Sequence, residues 1–271
     1  MIGQKNILEK FNTFEKIPSS VVLLGPNGSG KKTIVNTIIE NIGADIFNID
    51  KVFDDETKLA LCSCPNRMIV VFDLTKDLAQ KTVMNLQNSA LKFIEELPDN
   101  LRVFILAKNE TFVLDTVLNR SYVQQIDNYS KEELLEIARI NNKSLEDYNE
   151  EEIDYLKWPA DVIMAPGKNE LSSMESLIDT IFTSIGKANI SNTLTIAKKI
   201  SFNNEIGLYD LGLFLNVFEH KLVRKIVTEG DNKYHKTFTI FNNMVYNINR
   251  YNNNKVYIFE EFLLDIKQVL V

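Results

Sequence analysis

Between four consecutive apolar residues, Val21 to Leu24, and a run of helical character, Lys32 to Ile42, stands the turn Gly25-Pro26-Asn27-Gly28-Ser29-Gly30-Lys31. A buried strand, a glycine-rich loop and a helix start in that order restrict the fold more than any other stretch of the chain. The glycines let backbone N–H groups turn inward, the helix N-terminus adds partial positive charge, and a lysine closes the ring around an anion. Gly25, Asn27, Gly28, Ser29, Gly30 and Lys31 are therefore the candidate phosphate cradle, with Lys31 set against the β/γ charge of ATP.

The position after the lysine carries, in loops of this kind, a Ser or Thr hydroxyl that ligates magnesium. Here it is Lys32, whose ammonium has donors only and cannot coordinate a cation. Thr33 comes one residue later, about 100° around the helix, and does not simply replace the missing ligand. The matching carboxylate is Asp73, at the end of Met68-Ile69-Val70-Val71-Phe72-Asp73, followed by Leu74 where a hydrolytic enzyme needs a water-activating Glu. An Asp after an apolar run is also a common strand-end cap, so Asp73 has a bland reading beside the metal-proximal one. ATP is the cofactor such a loop takes, magnesium-supported hydrolysis is in doubt, and no metal site is assigned.

Around this loop the first 127 residues alternate short β-rich runs with helical patterns, as in a parallel sheet flanked by helices. The candidate strands are 21–24, 45–49, 68–72, 103–107 and 123–126. Val83, Leu86, Ala90, Leu91, Ile94 and Leu97 recur at helical spacing before Pro98 stops the run. From Tyr129 onward the signals turn helical, Ser130 serving as N-cap with acids in the first turn. The polar run from Gly186 to Asn192 marks a connection before the last helices. The expected domains are an α/β nucleotide-binding core over 1–127, a helical lid over 128–186 and an all-α domain over 187–271.

Composition narrows the function classes. A hydrophobic fraction of 45% supplies cores, no stretch of about 18 apolar residues is present, and the N-terminus lacks a secretory pattern. The expectation is a cytoplasmic protein without membrane attachment. A net charge of −7 argues against a general trap for phosphate backbones, so any DNA is met through a local patch or through partners. Cys62 and Cys64 are too few and too close for a structural zinc site, and His220, His235 and Trp158 lack a catalytic neighbourhood.

Asn88-Ser89-Ala90-Leu91-Lys92-Phe93-Ile94-Glu95-Glu96-Leu97-Pro98 resembles the clamp-loader pattern N-A-L-L-K-x-L-E-E-P-P. Val103 to Asn109 resembles the strand that ends in the polar sensor 1 residue, here Asn109, and Leu114 to Ser121 resembles L-P-T-I-R-S-R-C, with Arg120 at the arginine. Asn252-Asn253-Asn254-Lys255-Val256-Tyr257-Ile258-Phe259-Glu260-Glu261-Phe262-Leu263-Leu264 is similar to the ending of delta-prime chains, with Tyr257, Phe259, Phe262, Leu263 and Ile266 on one face for burial. On these motifs the chain resembles the clamp-loader AAA+ family, most of all the delta-prime subunit of bacterial DNA polymerase III. The four-cysteine zinc module frequent in that family is absent here.

That resemblance implies an AAA+ core, a lid and a C-terminal collar that joins subunits in a ring. It implies other clamp-loader subunits, a sliding clamp and, through the complex, primer–template DNA as partners. It also makes Arg120 a finger placed in trans in a neighbour's ATP site, and Lys168, in Ala165-Pro166-Gly167-Lys168, a sensor 2 candidate for phosphate. Lys168 equally reads as a solvated lysine at a helix start. Two alternatives stay open at this point: an active clamp-loader ATPase using Lys31, Asp73 and Thr33, and a different AAA+ ATPase acting on nucleic acid.

Overall fold

The structure is a computed structural model and describes residues 1–49, 53–76, 80–201, 211–250 and 255–270. The chain divides into two compact units, one of Met1–Ile140 with Trp158–Ala160, the other of Asn141–Lys157 with Asp161–Val271. No helix among the described residues is long and apolar enough to cross a membrane.

The first unit is built on five parallel strands, β1 (Ser20–Leu24), β2 (Asp45–Ile49), β3 (Met68–Asp73), β4 (Leu101–Ala107) and β5 (Tyr122–Gln125), in the order β2-β3-β4-β1-β5. β4 lies between β1 and β3, pairing Val22 with Ile105 and Val71 with Phe104. The three central strands are buried almost throughout, which is why they read as unbroken apolar runs rather than alternating ones. The edges differ: β2 buries only Ile49, and β5 is largely exposed and begins at Tyr122, one residue earlier than its apolar content suggests. This is the parallel α/β sheet flanked by helices, with a glycine-rich loop between β1 and the helix that follows, expected from the sequence.

Helices cover the sheet. α1 (Lys5–Lys10) precedes β1, and α2 (Lys31–Ile42) follows it, burying Ile34, Val35, Ile38 and Ile39 at the i, i+3, i+4 spacing of one face. α3 (Asp55–Cys62) starts at Asp54, whose side chain accepts from the Thr57 N–H. α4 (Gln80–Glu95) buries Leu86, Ala90, Phe93 and Ile94 in the same core as Val70, Phe72 and Ile105, and stops before Pro98 as expected. After the short α5 (Asp115–Leu118), α6 (Lys131–Ile140) opens on a reciprocal cap. Ser130 Oγ accepts from Glu133 N at 3.2 Å, and Glu133 Oε2 accepts from Ser130 N at 2.9 Å.

The second unit is helical: α7 (Glu150–Ile153), α9 (Lys168–Ser184), α10 (Ile190–Ser201), α11 (Leu211–Glu229), α12 (Asn232–Arg250) and α13 (Lys255–Val269), with most of α8 (Pro159–Ile163). Phe218 is fully buried at its centre, with Phe182, Phe241 and Phe262 at ring separations of 4.9, 5.2 and 5.4 Å. On α13, Phe259, Phe262, Leu263 and Ile266 are buried, whereas Tyr257 is 67% exposed and leaves the face on which it was expected. α13 packs against α10 and α12, so its apolar face is covered by the chain's own helices. The asparagines at 252–254 lie outside the described residues.

Removing the Phe218 ring deletes a side chain on which rings from three other helices, α9, α12 and α13, converge together with Phe214 of its own helix. Phe218→Ala should destabilise the helical unit by about 3–5 kcal/mol. Hydrogen exchange of the α11 and α12 amides checks this: protection equal to wild type would contradict the packing.

Candidate functional site

The site begins where β1 ends. The ladder continues one bond beyond the strand, Gly25 N donating to Ala107 O at 3.2 Å, and then the chain turns back toward α2. Gly28 and Gly30 have φ of +81° and +88°, the left-handed region in which a Cβ is strained. Gly28 is constrained twice, because a Cβ there would lie 2.4 Å from the Ala160 Cβ. The Ala160 N–H donates to Gly28 O at 3.2 Å, so the segment Trp158–Ala160 is held directly on the loop.

Lys31 is the first residue of α2 and is 6% exposed. Its ammonium donates to Gly25 O at 2.5 Å and Pro26 O at 2.7 Å, with Ser29 Oγ further off at 3.3 Å. Two of three donors are thus spent on holding the loop, and the third is weakly engaged and available to an anion. Burial pulls the Lys31 pKa from 10.5 down to about 8; Asp73 opposes the shift, and Lys108 and Lys32 add to it. Ser29 is fully buried, and its carbonyl accepts from the Tyr129 hydroxyl at 3.1 Å. Burial pushes that phenol up to about 12, so it stays a donor.

Lys32 and Asp73 meet across the sheet. Lys32 Nζ lies 2.7 Å from Asp73 Oδ2, the lysine side chain 58% exposed and the carboxylate 5%. The approach is an ion-pair contact off hydrogen-bond angles, leaving Oδ2 without another donor. Oδ1 accepts from Thr75 N at 3.0 Å and Thr75 Oγ1 at 2.5 Å. Burial alone raises the Asp73 pKa, but Lys32 and Thr75 outweigh it and hold the carboxyl below its ordinary range. Leu74 is 3% exposed within the core, its N–H bonded to Leu106 O, so the position of a water-activating Glu is a packing position here.

These residues fit a phosphate group and do not fit magnesium. The inward loop, the helix start and Lys31 form an anion cradle. At the metal's place stands an ammonium already on the carboxylate, and Thr33 lies exposed on α2. Among the described residues no group of three or more His, Cys, Asp or Glu is placed to hold a metal ion.

The remaining candidates are engaged elsewhere. Asn109 follows β4, and its Oδ1 accepts from Thr111 N and Thr111 Oγ1, capping a single helical turn. Arg120 Nε pairs with Glu95 Oε1 at 2.8 Å, and its NH1 donates to Thr116 O at 3.1 Å. Asn27 is exposed on the loop. In the helical unit, Lys168 is ion-paired with Glu152, whose carboxylate is buried and also accepts from Asn149 N in a capping box. Sequence reasoning passed over Tyr129, Ala160 and Thr75. Only Thr75 had a local signal, a hydroxyl two residues after an Asp at a strand end.

No family model matches the chain, and no curated protein sequence matches it. Among solved structures, the Thermotoga maritima RuvB Holliday junction branch migration motor overlaps it at a TM-score of 0.45 and 18% identity. That overlap covers 84% of this chain and 76% of that one. A variant of the same protein overlaps at a TM-score of 0.46 and 16% identity, over 84% and 77%. At these values the likeness bears on neither ligand nor partner.

The Lys31 environment sets a pH dependence. The unfolded chain keeps this proton to about 10.5 and the folded chain releases it from about 8, so the unfolded state binds more protons between those values. Lys31 therefore contributes a stability that increases as pH rises through that window. In Lys31→Met the increase should vanish, and denaturant titrations at pH 7 and pH 10 should show wild type gaining on the variant. A pH-independent difference would mean that Lys31 is not desolvated.

Proposed function

We propose that the chain is a non-hydrolysing ring subunit of a clamp loader, of the delta-prime kind. In this reading it binds neighbouring AAA+ subunits, helps load a sliding clamp on primer–template DNA in the cytoplasm, and offers Arg120 to a neighbour's ATP site. The observation that carries it is the Lys32–Asp73 ion pair inside an otherwise intact phosphate loop, with Leu74 packed where a catalytic Glu is needed. Such a chain keeps the architecture of an ATPase without its hydrolytic parts, which suits a subunit that serves its neighbours. The motifs at 88–98, 103–109 and 114–121 and the C-terminal helices support the same reading. An active motor of its own would need the magnesium ligand and the carboxylate that positions 32 and 74 lack.

Arg120 reaches a neighbour by exchanging partners. Its pair with Glu95 is about half exposed on both sides, and pairs of that kind are worth only about 0–1 kcal/mol. A developing phosphoryl charge, met bidentately by the planar guanidinium, is the stronger partner. Ring contacts would use surfaces other than the α13 face, which the chain covers itself.

The purified chain should show no ATP turnover above a Lys31→Ala control. Reconstituted with the other ring subunits, clamp and primed DNA, Arg120→Ala should assemble normally and lower hydrolysis at the served site by roughly 10³. Glu95→Gln, which frees the guanidinium, should leave hydrolysis at or above wild type. Failure of the wild-type chain to join such a ring would overturn the reading, and an unchanged rate in a properly assembled Arg120→Ala ring would leave only scaffolding.

A further inference from the structure

We infer that Lys32 acts as a built-in cation in the place of magnesium, so that the loop takes a nucleoside polyphosphate in its metal-free form and excess magnesium opposes binding. The inference rests on the reading of residues 25–31 as a nucleotide site, and on nothing about ring assembly.

The carboxylate that would share a metal already has a cation beside it. Oδ1 has two donors from Thr75, Oδ2 has the Lys32 ammonium at 2.7 Å, and the side chain is 95% buried. A divalent ion reaching Oδ2 has to displace that ammonium and then remain beside it. The surrounding charge makes this worse: Lys32 and Lys108 both act on Lys31, against the single carboxylate of Asp73. Three positive groups against one negative group repel a dication and attract a polyphosphate.

Lys32 is also suited to what magnesium would do for the phosphates. Its Nζ lies three bonds beyond where a Thr hydroxyl would end, which lets it bridge from α2 to the end of β3. Its ammonium touches Asp73 as an ion pair off hydrogen-bond angles, and its three donors can turn to phosphate oxygens. The side chain is 58% exposed, open to a ligand arriving over the loop. Lys31 then supplies its third donor from the buried side, so that two ammonium groups flank the anion.

A magnesium-chelated nucleotide carries its dication to the spot Lys32 occupies, so it is excluded, and magnesium competes by removing the free ligand. A triphosphate chelates magnesium more tightly than a diphosphate, so magnesium weakens ATP binding more than ADP binding. The ligand class that follows is free nucleoside di- or triphosphate, the diphosphate being favoured when magnesium is abundant.

The test is titration calorimetry of the full chain with ATP and ADP, in EDTA and in excess magnesium chloride, for wild type and Lys32→Thr. Wild type should bind both nucleotides more tightly in EDTA, with the larger loss in magnesium for ATP. Lys32→Thr restores a hydroxyl beside Asp73 and should invert the preference, binding ATP about tenfold tighter with magnesium. Tighter wild-type binding in magnesium overturns the proposal, and so does the absence of nucleotide binding in both buffers, which would make the ion pair a seal. Neither result changes the outcome of the reconstitution assay, so this inference and the ring-subunit reading fail separately.

Discussion

β4 is hydrogen-bonded to β1 on one side and to β3 on the other, and the placement of every group at the site depends on that intercalation. Parallel pairing brings the C-terminal ends of β1, β3 and β4 to one edge, with Leu24 opposite Ala107 and Asp73 opposite Leu106. The loop after β1, the carboxylate ending β3 and the residues after β4 then face a common region without any one contact drawing them together. Burial of the central strands keeps this edge rigid, since Val21, Val22, Val103, Phe104, Ile69 and Val70 are all inaccessible. An anion cradle made of backbone N–H groups needs such a mount, because its geometry is carried by main chain that side-chain repacking cannot correct.

On that mount the electrostatics run opposite to those of a metal-dependent site. A buried carboxylate without a partner is costly, and here a lysine, a hydroxyl and an amide offset the burial. Lys31 is the counterpart: its charge is buried at the expense of a depressed pKa, and two loop carbonyls hold it. The loop therefore carries an unbalanced positive charge when empty, which the arrival of an anion relieves. Lys108, on the segment after β4, contributes to the same imbalance.

The helical unit is organised by aromatic packing instead. Phe182, Phe214, Phe218, Phe241, Phe259 and Phe262 form a connected set of ring contacts spanning α9, α11, α12 and α13. Its polar groups are tied down inside the unit: Lys168 on Glu152, Asn216 on the Tyr155 carbonyl and Asp161, and Lys221 on Asp179. Lys168 thus pairs with the buried carboxylate that, with Asn149, forms the capping box at the start of α7.

By itself the sequence determined what short-range rules govern. The glycines at 28 and 30 dictate the loop, the apolar runs at 21–24, 68–72 and 103–107 dictate buried strands, and Ser130, Pro98 and the 83–94 spacing dictate helix limits. Replacement of the magnesium ligand by Lys32 and of the glutamate by Leu74 was equally legible, because those positions are counted from a local motif. Tertiary structure alone decided what Lys32 does, since its meeting with Asp73 needs the start of α2 and the end of β3 to be brought to one edge of the sheet. It also decided that Arg120 rests on Glu95, that Tyr129 and Ala160 brace the loop, and that Tyr257 points out of a face whose other members are buried. Periodicity and turn chemistry act over a few residues, whereas ion pairs and packing partners are set by which strands and helices become neighbours, a property that no local pattern encodes.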